Sequence, residues 1–351
     1  MATQHVTASS LQRVAMAIED PDAYGDAVQP LYLLEEYDNT LDFNQGVVEQ
    51  RVHAGTGQRI HVARGFGQPE GSLPVLITPD KSGAMLYALL GAVTPSGAAA
   101  PYTHTIVPST DGSRPSMTFE HRYGNLWRIF SGMTISQADF TANNGDMLRA
   151  TFQVSGKESL EYDTTQSDAA VAWDALNVIT SPMMTISRDD VEVTDTYNPS
   201  WTITNELVFA APQQAGVYTP RTGAGAGGVS ATISFFVHSE SDDPEGPLLR
   251  SFYGDSGSAY PFGPASGEIP HMSIKFEFES NEEVGTSGTN YGLTFEFPYA
   301  RVLSCARGEF GGMNGWNIQM VADIDPSTGY PVEITVVNAM ADLTVEGSAI
   351  T

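Results

Sequence analysis

Met272-Ser-Ile-Lys-Phe-Glu-Phe-Glu279 is the stretch that decides the fold, because its apolar and polar residues alternate strictly. In an extended strand, the two kinds of side chain then lie on opposite faces. The alternation recurs three more times in the second half of the chain. The apolar positions of these repeats are Tyr291, Leu293, Phe295 and Phe297; Trp316, Ile318, Met320, Ala322 and Ile324; and Val332, Ile334 and Val336. This period predicts antiparallel sheets with one buried face, since a doubly wound parallel sheet has continuous apolar strands separated by helices.

The first half of the chain shows weaker versions of the same pattern. It predicts strands at Ile60–Ala63, Met117–His121, Met133–Phe140 and Leu148–Val154. Two short helices are predicted, Lys81–Leu90 and Pro247–Tyr253, and each is followed by a Gly that suits a helix C-cap. A mainly β fold with few helices follows.

The two helix segments belong to a longer similarity between the halves. Met85-Leu-Tyr-Ala-Leu-Leu-Gly91 precedes Pro115-Ser-Met-Thr-Phe-Glu120, and Leu248-Leu-Arg-Ser-Phe-Tyr-Gly254 precedes Pro270-His-Met-Ser-Ile-Lys-Phe-Glu277. Recurrence of one helix-strand unit predicts a duplicated module. We therefore predict an arm at residues 1–36, a first module at 37–162, a linker at 163–180 and a second module at 181–351, with at most one short helix in the arm.

Composition limits the possible partners of the protein. The 351 residues include 42 acidic and 16 basic ones, which gives a net charge of −26. Adhesion to nucleic acid phosphates or anionic lipid needs a cationic surface, so both are disfavoured. Cys305 is the sole cysteine, which excludes an intrachain disulfide and a cysteine-based zinc site. No run approaches 18 apolar residues and the start lacks a signal-peptide core, so we expect no membrane span and synthesis as a soluble product in the cytoplasm.

Short motifs that suggest chemistry have structural interpretations here. Gly223, Gly225 and Gly228 match a dinucleotide fingerprint, but a strand follows them where a helix is required. Gly254-Asp-Ser-Gly257 resembles a serine protease nucleophile segment, without that family's His setting or final Gly. Asp323-Ile-Asp-Pro-Ser-Thr-Gly329 begins like a calcium loop, but its Gly is one place late and Ile334 stands where the bidentate Glu belongs. We predict loops and turns at all three, no cofactor, and no catalytic site.

Several segments of the first half occur in a recognisable order. The Glu-to-Tyr-Gly segment Glu19-Asp-Pro-Asp-Ala-Tyr-Gly25 is followed by Asp80–Gly91 and Tyr102-Thr-His-Thr-Ile-Val-Pro108, and then by Phe130–Phe140 and Asp146–Gly156. This order, which is clearest over residues 80–156, resembles the tail tube (major tail) proteins of long-tailed, non-contractile phages and viruses. The last two segments are similar to that family's outward strand, Gly-Asp turn and return strand. The second half resembles the family mainly through its similarity to the first.

The resemblance implies two tandem β-sandwich modules, each flanked by one short helix, that assemble into a ring lined by a β-barrel. Single-module relatives form hexameric rings, so a two-module chain implies a trimer with pseudo-sixfold symmetry. Rings would stack head to tail into a tube in the virion, together with tape-measure, tail terminator and tail-tip proteins.

Two sets of site residues follow from this resemblance. The relatives grip the next ring with a long loop of the first strand pair, and Tyr37–Gln58 matches it, with Asp42, Glu49 and Arg51 as candidate contact residues. Glu277 and Glu279, on the polar face of a predicted strand, either line an acidic bore that repels passing DNA or simply face solvent.

Two other classes of protein remain open at this point. One is another β-sandwich virion protein, such as a capsid decoration or tail-terminator subunit. The other is a glycan-acting β-sandwich enzyme, which needs a cleft with two carboxylates and aromatic platforms. Trp127, Trp173, Trp201 and Trp316 are too dispersed in the sequence to indicate such a cleft.

Overall fold

The computed structural model describes residues 13–34, 38–53, 58–123, 126–162, 177, 179–208, 225–238 and 271–350. The first half contains β1 (Arg13–Ile18), β2 (Tyr32–Leu34), β3 (Asp42–Asn44), β4 (Val47–His53), β5 (Gln58–Arg64), β6 (Gln68–Leu76), α1 (Gly83–Leu90), β7 (Gly91–Ser96), β8 (Tyr102–Pro108), β9 (Met117–Tyr123), β10 (Leu126–Thr141), β11 (Arg149–Ser155) and β12 (Glu158–Tyr162). The second contains β13 (Met184–Arg188), β14 (Val191–Glu192), β15 (Thr196–Val208), β16 (Gly225–His238), β17 (Met272–Glu283), β18 (Asn290–Phe310), β19 (Met313–Ala322) and β20 (Glu333–Asn338). The fold is mainly β, as predicted.

One antiparallel sheet runs through both halves, and we call it the long sheet. Its order is β3, β6, β11, the second half of β10, β15, β16, β19 and the second half of β18. The pairing of β10 with β15 joins the two halves of the chain. A second sheet has the order β14, β13, β17, the first half of β18, β20, β8 and β7, and it joins the halves again where β20 pairs with β8.

A third group of strands covers the N-terminal end. Here β2, β1, β9, the first half of β10 and β12 pair in that order. The described part of residues 1–36 contains no helix, and it contains a strand that the sequence did not predict, because Arg13–Ile18 is buried and pairs with β9. Its run Val14-Ala-Met-Ala-Ile18 is continuously apolar because the strand is covered on both faces.

The strands β10 and β18 each belong to two sheets because each carries a bend. The bend in β10 falls at Ser131-Gly132, where two residues lack a partner on β9 and Gly132 has a φ of +65°. Two residues of β10 thus lie opposite one of β9, and such an extra residue in one strand bends the strand and increases its twist. The bend in β18 falls at Pro298-Tyr299, opposite β17.

Aromatic rings fill the space between the long sheet and the second sheet. The indole of Trp201 stacks on Phe140 in the same sheet, with ring centroids 5.5 Å apart, and on Phe276 of the second sheet at 4.6 Å. Phe295 contacts both Phe140 and Trp201 at 4.9 Å. Residues from both halves of the chain therefore build one core, which gives each half apolar area that it would expose alone.

The helix α1 forms within the predicted range Lys81–Leu90, and most of its residues are buried in this core. Gly91 ends it in the left-handed conformation, with φ of +94°, and its N–H donates to the carbonyl of Tyr87. A Cβ at Gly91 would lie 2.4 Å from the carbonyl oxygen of Ser113, so only glycine fits this cap. The matching prediction, Pro247–Tyr253, lies outside the described residues.

The shared core predicts that the two halves do not fold independently. We expect fragments 1–170 and 171–351, expressed together, to copurify, because separation breaks the pairings of β10 with β15 and of β8 with β20. Each fragment alone should expose two strand edges and aggregate. Size-exclusion chromatography and thermal denaturation check this, and two fragments that melt cooperatively without associating would contradict it.

Candidate assembly surfaces

The candidate inter-ring residues lie in two different sheets. Asp42 lies in β3, at the edge of the long sheet, where its exposed carboxylate accepts a 2.6 Å hydrogen bond from the Arg128 guanidinium. Glu49 is exposed on β4, which pairs only with β5 among the described strands and forms a separate hairpin. Arg51 also lies in β4, and its side chain falls outside the described part of the structure. The structure therefore groups Glu49 with Arg51 and separates both from Asp42.

The β4–β5 hairpin carries exposed apolar side chains. Val47 is 56% exposed and Val62 is 62% exposed, and the strand register places both on the same face as Glu49. Val48 is 59% exposed on the other face. Large apolar side chains concentrated on one projecting element are typical of a contact surface.

Glu277 and Glu279 lie on the solvent-facing side of the second sheet. They are exposed and alternate along β17 with the buried Phe276 and Phe278, as the pattern predicts. Lys275 lies on the same face, where its ammonium group binds the Asp190 carboxylate at 2.8 Å. That hydrogen bond raises the Lys275 pKa, so the group stays cationic and offsets part of the negative charge of this face.

The solvent-facing side of the long sheet is lined mainly by hydroxyl and amide groups, and we call it the polar face. Its members, in strand order, are Ser72, Gln153, Thr151, Gln137, Asp139, Thr141, Ser200, Thr202, Thr204, Thr232, Ser234, Asn317, Gln319 and Ser304. They alternate with core residues such as Phe140 and Trp201, and several bond to one another across strands. The Thr202 hydroxyl donates to Asp139 at 2.7 Å, and Ser304 and Gln319 are 3.0 Å apart. Such a surface holds water. Charged residues on the same face include Asp42, Glu70, Asp139, Arg149 and Arg301. Both arginines pair with carboxylates, Arg149 with Asp146 and Arg301 with Asp323.

Sequence reasoning missed a buried carboxylate that holds the N-terminal segment. Glu19, in the predicted Glu-to-Tyr-Gly segment, is fully buried. One carboxylate oxygen accepts from the Gly132 amide at 2.8 Å and the Thr118 hydroxyl at 2.7 Å, and the other from the Gly25 amide at 3.0 Å and the Ser116 hydroxyl at 2.6 Å. Glu19 thus ties residues 19–25 to the bend of β10. The signal was available in principle, since a Glu beside a continuously apolar strand is hard to leave unpaired.

The tyrosine of the same segment packs beside this carboxylate. The Tyr24 ring lies against Gly132, where a Cβ would come within 3.1 Å of it, and the Lys157 ammonium is 5.9 Å from the ring centroid. Burial, and then the negative charge of Glu19, raise the Tyr24 pKa. The Glu-to-Tyr-Gly segment therefore has a structural role in this chain.

The C-terminal segment also crosses between the halves, which no periodicity indicates. The Asn338 amide donates to the carbonyl of Pro79 at 3.0 Å, just before α1. The buried Leu343 packs on Gly83 in α1, and the Gly347 amide donates to Ile18 at 3.1 Å. The end of the second half thus covers the helix of the first.

The motifs with catalytic or metal-binding patterns give no such site in the described residues. Asp325 caps a turn, because its carboxylate accepts hydrogen bonds from Ser327 and Thr328, which lower its pKa. This turn leads from β19 to β20, which both pair with β18, so it joins the long sheet to the second sheet. Residues 239–270, with the protease-like segment, are not described. The loop predicted for the three glycines is wrong at Gly225 and Gly228, which lie in β16, and Gly223 lies outside the described residues. No group of three metal-ligating side chains and no membrane-spanning helix occur in the part that is described.

These surfaces are typical of a structural protein that assembles through its β-sheets. Its long sheet continues from one half of the chain into the other. The family model described as "Phage tail tube protein" matches residues 9–238, more than half of the chain. The chain therefore belongs to the phage tail tube protein family, a structural family of the virion, which confirms the resemblance found in the sequence. No curated protein matches the chain.

Proposed function

We propose that the protein is the repeated subunit of a hollow, non-contractile viral tail tube through which DNA is ejected. The long sheet carries this proposal, because it passes without a break from the first half of the chain to the second and has a polar solvent-facing side. The tube is built from two-module chains, three to a ring with pseudo-sixfold symmetry, and its rings stack head to tail. Tape-measure, tail terminator and tail-tip proteins are its partners in the virion, and it has no catalytic role.

The bore of such a tube must let DNA slide. Strands that pair from module to module form the continuous wall, so the polar face of the long sheet lines the bore in this proposal. Hydroxyl and amide side chains with few cations do not hold phosphate, and the net charge of −26 adds long-range repulsion. The original expectation that Glu277 and Glu279 line an acidic bore stays a prediction. The second sheet, which contains them, is on the outside in the arrangement that we favour.

Electron microscopy of the purified protein tests the function. We expect long hollow tubes of uniform bore, alone or after addition of an assembly initiator from the same virus. Isolated rings under every condition would favour a tail terminator, and binding to capsids without tubes would favour a decoration protein. Sugar-hydrolysing activity of the purified chain would revive the enzyme alternative.

Labelling of assembled tubes tests which face lines the bore. In a Cys305→Ser background, Thr232→Cys marks the polar face and Glu277→Cys marks the second sheet. Maleimide-coated gold particles wider than the bore should decorate the Glu277→Cys tubes along their length and leave the Thr232→Cys tubes undecorated. A small maleimide should label both variants as free subunits. The opposite gold pattern would support the Glu277 and Glu279 prediction and overturn ours.

The β4–β5 hairpin is the element that we propose contacts the next ring. We expect the double variant Val47→Asp/Val62→Asp to form rings that do not stack, because the contact would bury two unpaired carboxylates. Val191→Asp is a matched control, since Val191 is 53% exposed on β14, away from the hairpin. Negative-stain images count tubes and rings, and normal tubes from the double variant would remove the hairpin from the ring contact.

A further inference from the structure

The described strand pairings within the second half repeat seven of the pairings within the first half, one for one. In the first half β1 pairs with β2 and β9, β9 with β10, β10 with β11 and β12, β11 with β6, and β6 with β3. In the second half β13 pairs with β14 and β17, β17 with β18, β18 with β19 and β20, β19 with β16, and β16 with β15. These eight strands of the first half each have a counterpart in the second, and β3 is the counterpart of β15. The strands β4, β5, β7 and β8 have no counterpart among the described strands.

The irregularities of the strands repeat at the same places. In each half, the bent strand (β10 or β18) has two residues without a partner on β9 or β17 directly after a Phe, which we call the first skip. One more residue, four positions after these two, lacks a partner on β11 or β19 and is the second skip. The first skip lies between the pairs Phe119–Phe130 and Met117–Met133, and between Ile274–Phe297 and Met272–Ala300. The second skip leaves out Ser136 in β10 and Leu303 in β18. Two coincident skips fix the residue-by-residue correspondence between β10 and β18, in which Gln137 matches Ser304.

A row of residues across four strands extends this correspondence to β3 and β15. The two matching rows are Ile135, Val154, Gly71 and Leu41 in the first half, and Val302, Met320, Ile233 and Trp201 in the second. Leu41 lies beside Gly71 so closely that a Cβ there would be 2.5 Å from the Leu41 Cα. Leu41 therefore holds the position of Trp201, and both side chains are buried.

The contact between the halves uses only one of two equivalent edges. The second half of β10 pairs with β15, which joins the first half of the chain to the second. The counterparts of these two strands are the second half of β18 and β3. Among the described strands, β19 alone pairs with Arg301–Phe310 and β6 alone pairs with Asp42–Asn44.

We propose that the second half of β18 in one chain pairs with β3 of a second copy of this chain, in the register that β10 and β15 use inside the chain. The internal pairs are Gln137–Thr204, Ala138–Ile203, Asp139–Thr202, Phe140–Trp201 and Thr141–Ser200. Transferred to the neighbouring copy, they become Ser304–Asn44, Cys305–Phe43, Ala306–Asp42, Arg307–Leu41 and Gly308–Thr40. This inference rests on the proposed tube function and adds the surface that joins chains within a ring.

The composition of the β18 edge suits this pairing. An edge strand that remains exposed is normally protected by Lys, Pro or a short length. The edge at Ser304–Gly308 instead carries four small residues and one Arg, so a partner backbone can approach without a steric clash. Each half of the chain supplies four strands to the long sheet, so three chains joined in this way close 24 strands into one barrel. With ordinary strand spacing and tilt, its backbone diameter is roughly 45–50 Å, which leaves an open channel.

Disulfide trapping tests the register, because Cys305 is the only cysteine in the chain. Residues directly opposite in an antiparallel pair have Cα atoms about 4.5–5.5 Å apart, within the range that a disulfide bridges. We expect Phe43→Cys tubes, after mild oxidation, to give covalent dimers and trimers on a non-reducing gel, with the trimer as the largest product. Ser304→Cys/Asn44→Cys in a Cys305→Ser background is a second pair on the opposite face of the strands, in case Phe43→Cys does not fold.

Matched controls separate the register from chance collision. Asn44→Cys with native Cys305 places the two thiols on opposite faces and should not cross-link. Ala138→Cys/Ile203→Cys/Cys305→Ser should form an intrachain disulfide, since it reproduces the pair inside the chain. Tubes that form normally without cross-links in either pair would overturn the proposed seam and leave the tube function standing. A ladder extending to six chains would overturn the three-chain ring, and failure to form tubes at all would count against the function itself.

Discussion

Glu19→Ala is expected to lower the free energy of unfolding by about 4 kcal/mol, because it leaves four buried donors without an acceptor. The amides of Gly25 and Gly132 cannot turn toward another acceptor, whereas the hydroxyls of Ser116 and Thr118 can rotate. Proteins of this kind are stable by only about 5–15 kcal/mol, so the variant should populate unfolded chains at moderate temperature. Urea denaturation followed by circular dichroism measures the loss.

Glu19→Gln separates the hydrogen bonds from the volume of the side chain. Each carboxylate oxygen of Glu19 receives one backbone amide, so a carboxamide in either orientation turns its NH₂ group toward one of them. We expect a loss of about 2 kcal/mol, between the native protein and Glu19→Ala. Glu277→Ala, at an exposed position, should change the stability by less than about 0.5 kcal/mol. Equal unfolding midpoints for Glu19→Ala and Glu277→Ala would show that the buried carboxylate does not hold the segment.

Trp201→Ala is expected to cost about 4 kcal/mol, since it removes a large buried ring and leaves a cavity between the two sheets. The indole is 1% exposed and stacks on both Phe140 and Phe276. These partners come from opposite halves of the chain, so near-ultraviolet circular dichroism should show both halves losing their packing in a single, earlier transition. A single transition would mean that residues 163–180 do not separate two independently folding modules. That boundary stays a prediction.

Two further variants help to interpret the loss of stability in Trp201→Ala. Trp201→Phe keeps an aromatic ring in the stack and should lose about 1–2 kcal/mol. Trp316→Ala removes the same side chain from a half-buried site, where it stacks on Arg307, and should lose less than half as much as Trp201→Ala. A Trp201→Ala protein with two separate transitions, only one of them shifted, would mean that the halves have separate cores.

Much of the β structure was predictable because alternation is a local property. The strands at Met272, Tyr291 and Trp316 follow the pattern of their own residues, and the helix at Gly83–Leu90 ends at the glycine that the sequence indicates. Gly91 is readable because its left-handed conformation depends on the residue itself. The strand at Arg13–Ile18 was not readable, because a strand covered on both faces has no alternation and its neighbours are far along the chain.

Some features of the assembly surfaces were likewise predictable from the sequence, and others were not. The exposure of Glu277 and Glu279 follows from alternation, but the sheet in which they lie does not. Asp42 and Glu49 are close in sequence, but strand pairing assigns one to the long sheet and the other to the hairpin. The pairs β10–β15 and β8–β20 join residues that are distant in sequence, so no period or motif in the chain predicts them.

The residue pattern alone was enough to identify a mainly β, acidic chain with a resemblance to tail tube proteins that the family match confirms. Which strand edges meet, that Glu19 holds the bend of β10, and which faces remain exposed became visible only in the folded chain. The physical reason is how far apart in the sequence the interacting residues lie. Alternation and caps depend on neighbours in sequence, whereas the pairing of sheet edges and the burial of a charge depend on groups that folding brings together from distant parts of the chain.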